Sequence, residues 1–264
     1  MKKKSIWQEI LDRGVWVLIF LVALVLSQLP LILSALLSAR QFPLLQSGIL
    51  VALLSVAILT VFIFSARKTE IASFNLSFFK AKDLARLVLS YLVIFTSNLF
   101  GSALLRLMNE STTSNQSTIN NLVQNSSLIS SFFLLVLIAP ICEEILCRGV
   151  IPKKLFRGKE NVGYIVGAII FALLHLPTNL PSLLIYGGMS TVLTWTVYKT
   201  QRLEMSILLH MIVNGVFFLF VGSCGDYESD IRNFCLESFH VETDLFLLGK
   251  DECNRVHLFL FMVK

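Results

Sequence analysis

Seven apolar blocks separated by short polar connections dominate the chain. They run over Val15–Leu37, Leu44–Ser65, Leu84–Leu105, Leu128–Cys147, Val162–Leu180, Pro181–Tyr198 and Met205–Gly222. Each approaches the ~20 helical residues that cross ~30 Å of hydrocarbon. The pattern predicts an all-α fold: a polytopic membrane helix bundle of about seven transmembrane helices over residues 1–223. Its core lies at 128–214, and a more polar tail follows at 224–264. Met1-Lys2-Lys3-Lys4 ahead of the first block mimics a signal peptide. That block is longer than a secretory apolar region and more spans follow, so it reads as a retained first helix. Pro30 is expected to kink it. The sixth and seventh blocks are short, which suits helices buried in the bundle, tilted or partly re-entrant.

Composition agrees. Of 264 residues, 55% are hydrophobic, 15% are charged and 21 are Phe. A soluble domain of this size could not bury that much apolar surface. A soluble enzyme, a disordered chain and a nucleic-acid-binding domain are all excluded. The net charge of +5 instead reflects where the cations fall. With the N-terminus on the cytoplasmic side, sixteen Lys and Arg lie in inside segments, the outside loops hold only Arg40 and Arg106, and the remaining four lie in the tail. That bias predicts an integral, multi-pass plasma-membrane protein with a cytoplasmic N-terminus. Glu70–Asp83, with Phe74, Phe78 and Phe79 among lysines, suits an interfacial segment. Asn109–Ser127 lacks Lys and Arg and reads as an exposed outer loop. Five cysteines at irregular spacing imply neither a disulfide framework nor a zinc ribbon. The absence of an internal repeat argues against a transporter.

Ionisable groups inside spans are expensive and mark function by default. They fall in three places: Glu143-Glu144 with Arg148, His175 after Phe171, and His210 with Asn214. Glu144 and Arg148 share a helix face in the favourable acid-before-base order. Glu143 points ~100° away. Two adjacent acids in unequal surroundings are a means of making one of them a base. A structural Glu144–Arg148 ion pair, and His or Asn acting as interhelical glue, are the competing readings. Cys142 and Cys147 read as small apolar filling, and Phe171 as packing. His240 and His257 lack companions at ligand spacing. Together the set suits hydrolysis, with a carboxylate and His activating water and with His and Asn donating to an oxyanion. No cofactor is called for. A divalent metal such as Zn on His and carboxylate is the alternative, although H-E-x-x-H is missing.

At these residues the chain resembles the CPBP family, the CAAX-protease and bacteriocin-processing membrane proteins also called Abi. The family pattern E-E-x-x-x-R, F-x-x-x-H, H-x-x-x-N reads here as Glu143-Glu144-x-x-x-Arg148, Phe171-x-x-x-His175 and His210-x-x-x-Asn214. Each motif alone is weak, but three in order, each on an expected membrane helix, are specific. The resemblance covers roughly Leu128–Asn214. It implies an intramembrane glutamic endopeptidase open to the cytoplasm. Glu143, helped by His175, would activate water, and His210 and Asn214 would stabilise the oxyanion. Glu144 and Arg148 would order the site. It also implies a further hydrophobic helix after the H-x-x-x-N helix, an eighth in the family, where this chain carries its polar tail.

The implied partners are the lipid bilayer and a peptide substrate, prenylated or leader-type; no nucleic acid is expected. A non-catalytic immunity or regulatory protein that binds a membrane partner is the rival reading. Counted at ~1.5 Å per residue from the nearest cytoplasmic cation, Glu143 lies ~15 Å deep, His210 ~12 Å and His175 ~24 Å. His175 therefore meets the others only if its helix starts late, tilts or protrudes.

Overall fold

The computed structural model describes residues 5–74, 80–110 and 112–226, with side chains to residue 219. Among them the chain is all-helical: α1 (Ile6–Ala39), α2 (Leu44–Lys68), α3 (Ala81–Leu107), α4 (Ser114–Asn125), α5 (Leu128–Leu155), α6 (Glu160–Leu174), α7 (Leu180–Thr200) and α8 (Leu203–Asp226). Helices α1, α2, α3, α5 and α7 are long and apolar enough to cross a bilayer. Helix α6 and the Leu203–Leu219 stretch of α8 are apolar but shorter. The protein is an integral, multi-pass membrane bundle. Helices α1, α2 and α3 turn rows of exposed Leu, Val and Ile outward, where lipid supplies the apolar surroundings that water would not.

Local sequence explains the boundaries. Ser5 and Gln8 form a reciprocal capping box at the start of α1. The helix then runs through Pro30 as one continuous element, so the expected kink does not interrupt it. Gln41 turns the chain into α2 with a left-handed φ of 52°. Asp83 caps α3 by accepting from the Lys80 N–H at 3.1 Å. The expected outer loop is not all loop. Thr113 caps a helix, α4, whose Gln116, Ile119 and Val123 are buried at helical spacing. The polar residues that suggested a loop lie on its other face. The Glu70–Asp83 segment is described only in part, since residues 75–79 lie outside the described set, as do the end of the 224–264 tail and its histidines.

Helix α5 is the axis of the bundle. It carries two π-helical stretches, Phe133–Ile138 and Ile145–Leu155. Such stretches concentrate at functional sites. In this register a carbonyl pairs with the N–H five residues on: the Ala139 N–H donates to the Leu134 oxygen. For the Leu135 oxygen the fifth residue is Pro140, which has no N–H to give. The Asn214 side chain of α8 supplies the missing donor at 2.9 Å. The same arithmetic applies lower down, where Pro152 stands five residues after Cys147. Gly167 of α6 closes on the Cys147 carbonyl oxygen so tightly that any Cβ would overlap it. Gly163 does the same against Pro152. These two glycines set the antiparallel register of α5 and α6.

Candidate active site

The register brings the polar residues together. Four residues before Cys147 on α5 is Glu143, and four residues after Gly167 on α6 is Phe171. The Arg148 guanidinium stacks over the Phe171 ring, 4.1 Å from its centroid. That ring also lies 4.5 Å from His175 and 5.6 Å from His210. Phe171 is thus the shared wall of the site as well as packing. Helix α6 begins at Glu160, directly after Lys159, so a late start is not what brings His175 into the cluster; the bridge is Phe171.

Glu144 and Arg148 are both fully buried, at 0% exposure. Their ion pair, 2.9 Å long, is the structural pairing that the i,i+4 spacing suggested. Arg148 also donates to the Ser190 carbonyl at 3.0 Å, the Ser190 hydroxyl at 2.7 Å and the Thr194 hydroxyl at 3.2 Å. The Ser190 hydroxyl donates to the Ala168 carbonyl at 2.8 Å. Arg148 therefore ties α5 to α6 and α7 from a fully buried position and does not belong with the exposed cations of the sequence count. The count becomes fifteen against two, and the charge bias survives. The second oxygen of Glu144 accepts from Ser206 at 2.5 Å, which brings in α8. A buried charge is tolerated only when it is paired and hydrogen-bonded, and this network meets that condition.

His210, 1% exposed, stands between the two acids. Its Nδ1 lies 3.1 Å from Glu144 Oε1 and its Nε2 lies 3.9 Å from Glu143 Oε2. Glu144 is held as an acceptor by Arg148 and Ser206, so His210 Nδ1 carries the donated proton and Nε2 is presented to Glu143. His175 is fixed in the same sense. Its Nδ1 lies 2.8 Å from the Phe171 carbonyl oxygen. A carbonyl can only accept, so Nδ1 is the N–H and, in the neutral ring, Nε2 carries the lone pair. Its ring stacks on Tyr186 at 4.7 Å. The Tyr186 hydroxyl bonds Thr113 at 2.5 Å, which anchors the site to the start of α4. Asn214 gives one amide hydrogen to Leu135. Its second hydrogen and its carbonyl oxygen are uncommitted.

The asymmetry between the acids is large. Glu144 is sealed in, whereas the Glu143 side chain is 27% exposed. Cys142 and Cys147 are buried and free, as small apolar filling should be. No three of the His, Cys, Asp and Glu side chains among the described residues are placed to share a metal ion. The sequence reading missed Ser190, Thr194, Ser206 and Tyr186. Hydroxyl residues are common in membrane helices, and only the packing shows which of them point inward.

Fold and site together define a helical membrane protein built around a buried acid–histidine–arginine network. Residues 125–216 match the family described as type II CAAX prenyl endopeptidase Rce1-like. That stretch contains all three motifs, Glu143 to Arg148, Phe171 to His175 and His210 to Asn214. It is similar to the UPF0177 protein YvdC of Lactococcus lactis subsp. lactis, 25% identical over 204 residues, which is 76% of this chain and 75% of that protein. It also resembles the UPF0177 protein YaiH of the same organism, 35% identical over 85 residues, covering 32% of this chain and 35% of YaiH. The membrane-embedded CAAX protease MroQ of Staphylococcus aureus is 33% identical over 95 residues, covering 33% of this chain and 38% of MroQ. The chain thus spans three quarters of YvdC and little more than a third of the other two. No solved structure matches it.

Proposed function

We propose that this protein is an intramembrane endopeptidase that hydrolyses a peptide bond in a lipidated or membrane-associated peptide. The observation that carries this reading is the unequal pair of acids. Glu144 is wholly committed to Arg148, Ser206 and His210, while Glu143 is partly open beside the His210 imidazole. The 3.9 Å between them exceeds a direct hydrogen bond and suits a bridging water. Glu143 takes the proton of that water, with His175 Nε2 assisting, and the hydroxide attacks the peptide carbonyl. The tetrahedral oxyanion accepts from the second amide hydrogen of Asn214 and from Nε2–H of His210 in its imidazolium form, whose Nδ1–H stays on Glu144. Glu143 then returns the proton to the leaving amine. Glu144 and Arg148 orient His210 and contact no reacting atom. The apolar helices around the site suit a substrate that arrives within the bilayer, and the site is proposed to open toward the cytoplasm.

The test is cleavage of a panel of prenylated and leader-type peptides by the full chain in detergent. Wild type is run beside Glu143→Gln and His175→Gln, each with and without a chelator. Loss of ~10²–10⁴-fold in rate on Glu143→Gln with unchanged thermal stability is expected, the usual worth of general acid–base catalysis. Folded protein that cleaves equally well without Glu143 overturns the assignment. Activity abolished by chelator and restored by Zn replaces the metal-free step with a metal-bound one.

A further inference from the structure

A second polar site lies at the basic end of the bundle. Between the first turns of α3 and the α7–α8 junction is a cavity of about 350 Å³. Five cations line it, Lys80, Lys82, Arg86, Lys199 and Arg202, with Asp83 as the one acid. Asp83 is already engaged. It accepts from the Lys80 backbone N–H at 3.1 Å and pairs with Arg86 at 3.1 Å. The cavity therefore holds a strong surplus of positive charge. The two walls are fixed relative to each other. One turn deeper, Ser90 of α3 and Thr196 of α7 share a hydrogen bond of 3.3 Å, and Leu87 and Leu193 are buried beside it.

Its depth is also marked. Leu84 and Val88 on α3 are 55% and 52% exposed, which is lipid-facing surface directly below the cations. Trp195 and Tyr198 on α7 are 43% and 44% exposed. Half-exposed Trp and Tyr at a helix end belong to the headgroup level of a bilayer. Lys199 Nζ lies 6.0 Å from the Tyr198 ring centroid. Exposed apolar residues on one wall and half-exposed aromatic residues on the other therefore flank the cations.

We propose that this cavity is a binding site for the phosphate of an anionic phospholipid headgroup, whose acyl chains lie along Leu84 and Val88. Basic pockets between membrane helices are suited to such headgroups, and a soluble phosphate would gain nothing from the apolar strip below. The site is separate from the acid–histidine network and does not depend on the protease reading.

The test uses the full chain in mild detergent and counts single bound lipids by native mass spectrometry. Phosphatidylglycerol, phosphatidylcholine and inorganic phosphate are titrated separately. Wild type is compared with Lys82→Gln/Lys199→Gln, and with Arg13→Gln/Lys68→Gln, which removes the same charge from exposed positions outside the cavity. One phosphatidylglycerol bound at least tenfold tighter than phosphatidylcholine is expected. The cavity variant should lose about 30-fold, since each cation at an anionic surface is worth about fivefold. The control should change less than about twofold. Equal loss in both variants overturns the proposal in favour of diffuse surface charge. Inorganic phosphate binding as tightly as the lipid overturns the lipid assignment. An acidic peptide that binds the cavity while phosphatidylglycerol does not would make the site a protein-docking surface.

Discussion

Replacing Arg148 by Met tests the central network. Met keeps most of the volume and removes the guanidinium. Three of the lost hydrogen bonds go to neutral groups, Ser190 twice and Thr194. Such interhelical bonds average only ~0.6 kcal/mol in membranes, so together they account for about 2 kcal/mol at the average value. The larger effect is on Glu144. At 0% exposure it would keep Ser206 and His210 as neighbours but lose its compensating charge. Stranding one member of a buried pair costs about 3–5 kcal/mol. The expected fall in melting temperature is roughly 6–20 °C, at about 2–4 °C per kcal/mol for a chain of this size. The assay is thermal unfolding in detergent, backed by denaturant titration where unfolding is reversible. The decisive arm is Glu144→Gln/Arg148→Met. With no carboxylate left to strand, and the substituted amide's carbonyl still accepting from Ser206, the double variant should be at least about 2 kcal/mol more stable than Arg148→Met alone. If Arg148→Met lies within about 1 kcal/mol of wild type, or if the two changes add, the pair is not the electrostatic keystone of the bundle.

Other expectations follow from the same geometry. Asn214→Leu should destabilise by about 1–3 kcal/mol, the cost of leaving a buried carbonyl unmade. The loss should shrink in a Pro140→Ala background, where residue 140 can donate to Leu135 itself; a two-by-two unfolding series reads this directly. Gly167→Ala should cost about 1–3 kcal/mol, because its methyl meets a backbone oxygen that cannot swing away. Gly187→Ala, with nothing within 4 Å of the added carbon, should be neutral or slightly stabilising in the same assay. Tyr186→Phe should cost about 1 kcal/mol through the lost Thr113 bond, whereas Tyr186→Ala should cost about 3–5 kcal/mol and release the His175 ring. Histidine NMR line shapes distinguish the two.

The sequence made the spans legible because bilayer thickness imposes a single length on apolar blocks. It also made the members of the polar cluster legible, because a Glu, Arg or His inside such a block is conspicuous. It blurred where polarity and burial part company. Helix α4 is rich in Ser, Thr and Asn and reads as loop, yet three side chains at helical spacing seat it on the bundle. His175 lies inside an apolar block by composition, yet the helix stops at Leu174. Leu176 then adopts a left-handed φ of 49°, and α7 starts afresh behind the Asn179 cap. Arg148 looked like a cation at the membrane edge because Lys153 and Lys154 follow so closely. Its partners Ser190 and Thr194 lie some forty residues away, and no local pattern announces them.

The π-helical register links these observations. Pairing five residues apart would leave Leu135 and Cys147 without donors, because prolines stand at 140 and 152. Each orphaned carbonyl then becomes a contact for another helix. Leu135 takes the amide of Asn214, which fixes α8 and, one turn earlier, His210. Cys147 takes the bare Cα face of Gly167, which fixes α6 and, one turn later, Phe171. The two acids lie between these docking points, on the α-helical segment Ala139–Glu144 that separates the π stretches. The prolines that would weaken an isolated helix therefore convert backbone carbonyls of α5 into register marks for its neighbours. Phe171 and His210 meet ring to ring beside the acids, because the carbonyls that seat their helices lie about one and two turns from Glu143 along the same chain.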